Sequence, residues 1–300
     1  MNKNLFKPLV LITLLSMFLL VACIPEDPEE SKGIFYEVQT GNTSMYLLGS
    51  VHVGKEDMYP LDEEVEKAFK QSQVLGLELD TKNIDEMEIA GQVLHFAKYH
   101  DGSLATDLLP EEEFQNAADI IGVQPQMLNQ FKPWYITMTL SNIAAEEAGY
   151  SSKYGVEEYF IQQAEDKEII GLETVVDQIA TFELLSNESQ ELYFEETLNN
   201  IEGTKDQMDE LITLWRQGDS AAFAQMRKET LEQAPTPSLE LHQRALLDER
   251  DKKMAETLHH ILKEDSGRTY FVVVGAMHLV GENSIVDHLN QKGYEVNSVY

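Results

Sequence analysis

Apolar residues in this chain fall into two rhythms, short unbroken runs and runs spaced three or four apart. Phe271, Val272, Val273 and Val274 form an unbroken run, which predicts a strand buried on both faces. Met45, Tyr46, Leu47 and Leu48 form a second. Residues 34–39 alternate weakly before it, and the intervening Thr-Gly-Asn-Thr is a turn signal, so the folded part should open with a β-hairpin. Residues 73–79 read as a further strand. Between the two, Leu61, Val65 and Phe69 recur at the spacing of one helical face, with Asp62 placed to cap the helix. Strand, helix, strand in this order implies a βαβ unit with parallel pairing.

From 84 to about 235 the rhythm is almost wholly helical. Helices are predicted over 84–99, 111–121, 134–148, 156–166, 175–185, 189–200, 205–217 and 220–232, the second opened by Pro110 and three glutamates. One short apolar interruption, 168–174, reads as a strand ending on Glu173. A long amphipathic helix follows over 240–262 and carries Arg250. After the central strand, a helix should run from Gly281 to Leu289, stop at Gly293, and give way to a last strand over 294–299. The expected fold class is α/β (α+β): a mixed central sheet built from N- and C-terminal segments, with a large helical insertion at about 84–235.

The two clearest strands end alike. Gly49 precedes His52 by three residues, and Gly275 precedes His278 by three. Glycine permits a sharp turn where a strand stops, and the imidazole is then presented at the strand's carboxyl end, where open α/β sheets build their sites. Glu78 lies near the end of another strand between two leucines; it either points outward or faces a cation. Glu173 reads either as a second site carboxylate or as an acid favouring the start of the next helix. Two histidines with one or two carboxylates suit a divalent metal such as Mn, Co or Zn. His52, Glu78 and His278 are the candidate ligands, Glu173 a ligand or general base, and Arg250 a clamp for a carbonyl or carboxylate. No His-Glu-x-x-His, phosphate loop, dinucleotide fingerprint or Gly-x-Ser-x-Gly elbow is present. His95, His100, His259, His260 and His288 have no predicted role.

Composition narrows the partners. Among 300 residues, 53 acidic against 22 basic side chains give a net charge of -31, which repels phosphate backbones and argues against nucleic acid. Lys3 and Lys7 precede an apolar run over 9–22, a secretory signal too short and poorly flanked for a confident membrane span. The run closes Leu20-Val-Ala-Cys23, which resembles a bacterial lipoprotein lipobox. This predicts a signal peptide over 1–22, lipid on Cys23, an acidic Pro-containing linker over 23–32, and one domain over 33–300 held outside the cytoplasm. Cys23 is the only cysteine, so no internal disulfide can form.

Several stretches together resemble the family named for TraB, PrgY and GumN, which also contains the Tiki membrane proteases. They are Tyr46-Leu-Leu-Gly-Ser-Val-His-Val53, Tyr59-Pro-Leu61, Leu75-Gly-Leu-Glu78, Gly171-Leu-Glu-Thr174 with Gln178, Arg250-Asp-Lys-Lys-Met254, and Val272-Val-Val-Gly-Ala-Met-His-Leu279 with Gly281. Asp251 departs from the family, which usually carries Asn there. The resemblance implies a fold related to erythromycin esterases and haem-binding lipoproteins. For the Tiki branch it implies metal-dependent peptide hydrolysis using both histidines. Three functions stand as expectations: a surface-anchored metal-dependent hydrolase of peptides or small molecules; a metal-free esterase-like hydrolase with His52 as general base; or a lipoprotein that binds haem, a metal or a peptide without turnover.

Overall fold

The computed structural model describes residues 30–300. The leader, Cys23 and the linker up to 29 lie outside the described residues. The end of the predicted linker already belongs to the domain. Ser31 is buried, its carbonyl accepts from the Asp62 N–H, and the Lys32 N–H donates to the Arg216 carbonyl.

Six strands form one sheet: β1 (Ile34–Thr40), β2 (Thr43–Ser50), β3 (Val74–Leu77), β4 (Glu168–Gly171), β5 (Thr269–Gly275) and β6 (Val296–Ser298). Their order is β4-β3-β5-β2-β1-β6. β1 and β2 are the expected antiparallel hairpin, joined through Gly41, whose φ of +53° suits glycine at a tight turn. β2, β5, β3 and β4 run parallel.

The βαβ reading needs one correction. β2 and β3 are parallel, but they are not neighbours; β5, from the far end of the chain, lies between them. The reason is burial. Phe271 to Val274 are all 0% exposed, and a strand with no polar face is stable only with hydrogen-bonded partners on both edges. Position thus follows hydrophobicity rather than sequence order. The register aligns Ser50 with Gly275 and Leu77 with Val273, bringing the three carboxyl ends together.

The helices after β2 form as their patterns predict. Asp62 caps the helix Glu63–Gln71 by accepting the Glu64 N–H at 2.9 Å, and Leu61, Val65 and Phe69 are all buried. Phe69 and Phe160, the latter on the helix Val156–Gln163, both pack against Phe271 of β5 and against each other, Phe69 meeting Phe271 edge-on and the other two pairs tilted. The insertion is therefore not a detached lobe: the helix Val156–Gln163 and β4 belong to the main core. Ile212, Trp215 and Phe223 of later insertion helices join it too, and the rest of the insertion carries two smaller cores, one around Phe114, Ile136 and Phe194, the other around Trp134.

Several boundaries differ from expectation: the segment 175–185 is an α-helix only to Ile179, β4 stops at Gly171 short of Glu173, and the last strand keeps only Val296–Ser298. The long helix predicted over 240–262 contains a π turn, Ala245–Glu249, between Pro237–Arg244 and Arg250–Glu264. Such turns recur at functional sites, and this one abuts Arg250. The helix expected from Gly281 starts instead at Ile285, capped by Ser284, because Gly281 takes φ +81° in a loop beside Arg227. Among the described residues no helix is long and apolar enough to cross a membrane.

Candidate active site

Gly49 is required where β2 passes the loop after β5. A Cβ there would lie 2.9 Å from the Ala276 Cα and 2.9 Å from the Ile34 Cβ. Its carbonyl accepts from the buried Trp215 indole at 2.7 Å, which fixes the strand end. The chain then turns through Val51, whose carbonyl accepts the Val156 N–H at 3.1 Å. Gly155 allows that approach, since a Cβ on it would sit 2.4 Å from the His52 carbonyl oxygen. The helix Val156–Gln163 thereby starts beside His52 and delivers Glu157 to it. Glu157 Oε1 lies 2.8 Å from His52 Nδ1 and accepts from the Ser50 hydroxyl at 2.5 Å.

The second histidine is held from behind. His278 sits in the turn Ala276–Leu279, and its Nδ1 lies 2.5 Å from Asp251 Oδ1. Asp251 is 0% exposed. Its other oxygen accepts from Arg227 Nη1 at 2.6 Å, and that same nitrogen donates to the Met277 carbonyl at 2.7 Å. Arg227 Nη2 pairs with Asp248 at 2.7 Å. Asp251, where the resemblance leads to the expectation of Asn, thus has its own buried counter-ion.

Glu78 follows β3 and turns inward. Its Oε1 accepts the Gly275 N–H at 2.7 Å; its Oε2 accepts from Arg250 Nη2 at 2.7 Å and from Gln178 at 3.1 Å. Arg250 is spent in the process. Nε and Nη2 also bind Glu173, and Nη1 donates to the Leu246 carbonyl in the π turn at 3.0 Å. Glu173, with a side chain 1% exposed, is the counter-ion of Arg250 and accepts from Gln178, and it does not line the cavity described below. The structure therefore offers neither a free Arg250 clamp nor an open Glu173 base.

The three predicted ligands meet at Gly275. A Cβ there would lie 3.3 Å from His278 Cδ2, 3.4 Å from Glu78 Oε1 and 3.7 Å from His52 Nε2. His278 Nε2 is 3.7 Å from Glu78 Oε1. Among the described residues no three His, Cys, Asp or Glu side chains are gathered closely enough to hold a metal as they stand. The donor chemistry nonetheless fits a metal. Each imidazole has Nδ1 held by a carboxylate and Nε2 left over, the arrangement by which proteins orient histidine ligands.

Charge follows from this geometry. Burial alone would raise the Glu78 pKa, but His278, Arg250, His52 and the Gly275 N–H outweigh it and hold the carboxyl down to about 2. Its folded pKa is depressed, so the stability it contributes is complete above its ordinary 4.5 and is lost as pH falls through about 2. We expect the stability difference between the wild type and Glu78→Gln to shrink over that window in acid unfolding curves. A difference independent of pH there would show that Glu78 is not ion-paired. His52 moves the other way: the Glu157 charge and hydrogen bond raise it to about 9. Its ring keeps 69% of its area open, toward water in the cavity it lines.

These groups form the floor of a cavity of about 780 Å³. Its walls are mainly apolar and come largely from the insertion, including Met138, Ile161, Phe182, Met208, Leu211 and Phe223. The other histidines lie elsewhere. His100 bonds the His95 carbonyl, His259 meets Tyr294, His260 pairs with Glu256 on the surface, and His242 is buried against the Thr181 carbonyl.

The sequence model of the TraB/PrgY/gumN family matches residues 34–298. The chain belongs to that family. This TraB/PrgY/gumN member is 29% identical over 250 residues to the uncharacterized protein YbaP of Escherichia coli K12, covering 82% of this chain and 87% of YbaP. It is 22% identical over 155 residues to an uncharacterized protein of Treponema pallidum, covering 51% and 47% of the two chains. A stretch of 51 residues is 39% identical to the metalloprotease TIKI2 of Xenopus tropicalis, covering 17% of this chain and 10% of TIKI2. No solved structure matches, so the likeness to esterase and haem-binding folds stays an expectation drawn from the family.

Proposed function

We propose that this TraB/PrgY/gumN member is a divalent-metal-dependent hydrolase of peptide bonds, anchored outside the cytoplasm by lipid on Cys23. The observation that carries the reading is the pair of imidazoles, each backed by a carboxylate at Nδ1, meeting Glu78 around Gly275. The partial likeness to TIKI metalloproteases supports the same chemistry. His52 and His278 would hold the ion through Nε2, with Glu78 as third ligand. An ion of Mn, Co or Zn there would polarise a substrate carbonyl and acidify a water.

The chain's own residues then have separate tasks. Glu157 and Asp251 orient the two rings, Arg227 holds Asp251 and the Met277 carbonyl, and Arg250 with Gln178 aims Glu78. Held down to about 2, Glu78 is a weak base and serves as ligand and charge anchor. His52, raised to about 9, carries a proton at neutral pH in the metal-free protein, and a ligating nitrogen must lose it. The same proton counts against the metal-free reading with His52 as general base.

Peptide hydrolysis followed by mass spectrometry tests the proposal. Cleavage should stop on exhaustive chelation and return with Mn, Co or Zn. Cleavage that survives chelation would select the metal-free hydrolase, and tight peptide retention without cleavage under any metal would select a binding lipoprotein.

A further inference from the structure

The loop that leaves His52 runs along one helix of the insertion, Thr204–Gln217, and is fastened to it by charge. Lys55 Nζ lies 3.0 Å from Asp209, and Arg216 lies 3.7 Å from Asp57. Asp209 and Arg216 are seven residues apart, so they share one face of the helix. Asp209 also accepts from the Tyr150 hydroxyl at 2.5 Å and from Lys205 one turn back. The Lys55 ammonium sits 3.9 Å from the centre of the Tyr150 ring. Tyr150 is tied to the same loop, since Gly54 and Ser151 exchange both backbone hydrogen bonds at 3.0 Å. One carboxylate thus joins three segments at a point three residues beyond His52.

The helix is held unevenly. Its buried residues are Ile212 and Trp215, both in the second half, and the Trp215 indole is bonded to the Gly49 carbonyl. None of residues 204–211 is buried. The helix starts after Gly203 with no side-chain cap, and a Cβ on Gly203 would meet only Gln207 Nε2, at 3.8 Å. Yet this loosely packed half supplies Met208 and Leu211 to the cavity wall. Apolar burial fixes one half of the helix, and charge holds the other. A segment with few buried apolar contacts is where a protein opens first. The Lys55 and Asp209 side chains are 33% and 40% exposed, and pairs this open to water are weak and screened by salt. That suits a contact built to break.

We propose that residues 204–211 are a lid on the cavity, opening by local unfolding between Gly203 and Ile212 and latched shut by Asp209 on Lys55 and Tyr150. Opening takes Met208 and Leu211 off the wall and releases the loop that carries on from His52. The opening is independent of any chemistry at the site; its use in admitting substrate rests on the hydrolase reading.

Hydrogen exchange on the full chain, resolved by fragmentation mass spectrometry, tests the latch. Asp209→Asn removes the charge at nearly constant shape. The amides of 207–211 should then exchange about 3–5-fold faster, the upper range for losing an exposed charged pair, while those of 212–217 keep wild-type rates. Lys55→Met cuts the tie from the loop side and should give the same pattern. Glu210→Gln, an equal charge change at an exposed position on the same helix, should not. The gap between wild type and Asp209→Asn should narrow in 1 M NaCl, where screening acts within about 3 Å. Unchanged exchange over 207–211 in both tie variants, an increase spread evenly along the helix, or a gap that salt does not narrow would overturn the proposal. Local acceleration in a protein that cleaves no peptide under any metal would leave the lid standing and reject the hydrolase reading.

Discussion

Arg250→Met is expected to lower stability by about 3–5 kcal/mol, the largest loss among single substitutions in the site. The side chains of Arg250, Glu78 and Glu173 are 7%, 9% and 1% exposed. Removing the guanidinium leaves two buried carboxylates close together with no shared cation, hydrogen-bonded by Gln178 and the Gly275 N–H, with His278 3.7 Å from Glu78 alone. The attraction in such a pair does little more than offset the cost of burying it, but breaking it from one side leaves that cost uncompensated. Urea unfolding at neutral pH should show the midpoint drop with the slope unchanged. A loss within about 1 kcal/mol, the range of exposed pairs, would show that water reaches these carboxylates.

The second large effect separates the two histidines. His52→Ala and His278→Ala should each weaken metal binding and hydrolysis by ~100-fold or more, since loss of a group that merely supports a ligand already costs 10–100-fold. Their stabilities should differ. His52 is open to the cavity, so its loss should barely move the melting temperature. His278 is 6% exposed, and its removal leaves one oxygen of the wholly buried Asp251 without a partner, at about 1–3 kcal/mol. Calorimetric melting alongside a metal titration reads both quantities. Equal destabilisation by the two variants would contradict the asymmetry of the site.

What could be read in the sequence was whatever leaves a local trace. The hydrophobic run of β5, the hairpin, the Asp62 cap and the insertion helices follow from periodicity and turn chemistry, which are short-range. The place of β5 between β2 and β3 is a long-range matter of burial and pairing, and no local pattern encodes it. His52, Glu78 and His278 stood out because each polar residue ends an apolar strand. Glu157 was missed, since an acid in the first turn of a helix looks like a dipole partner until the Gly155 approach shows what it faces. Arg227 gave no signal either, for a charged residue on an amphipathic helix reads as solvated, and only the fold reveals it 1% exposed. Arg250 and Glu173 each stand out in the sequence, but their mutual neutralisation depends on a contact 77 residues apart. That contact turns a presumed clamp and base into a scaffold for Glu78.

The most direct test is a crystal soaked in Mn, Co or Zn and measured at the absorption edge of that metal. The account predicts one anomalous peak per chain, beside Gly275, within bonding distance of Nε2 of both His52 and His278. Both rings left unliganded under saturating metal, or a single ion bound away from them, would contradict it.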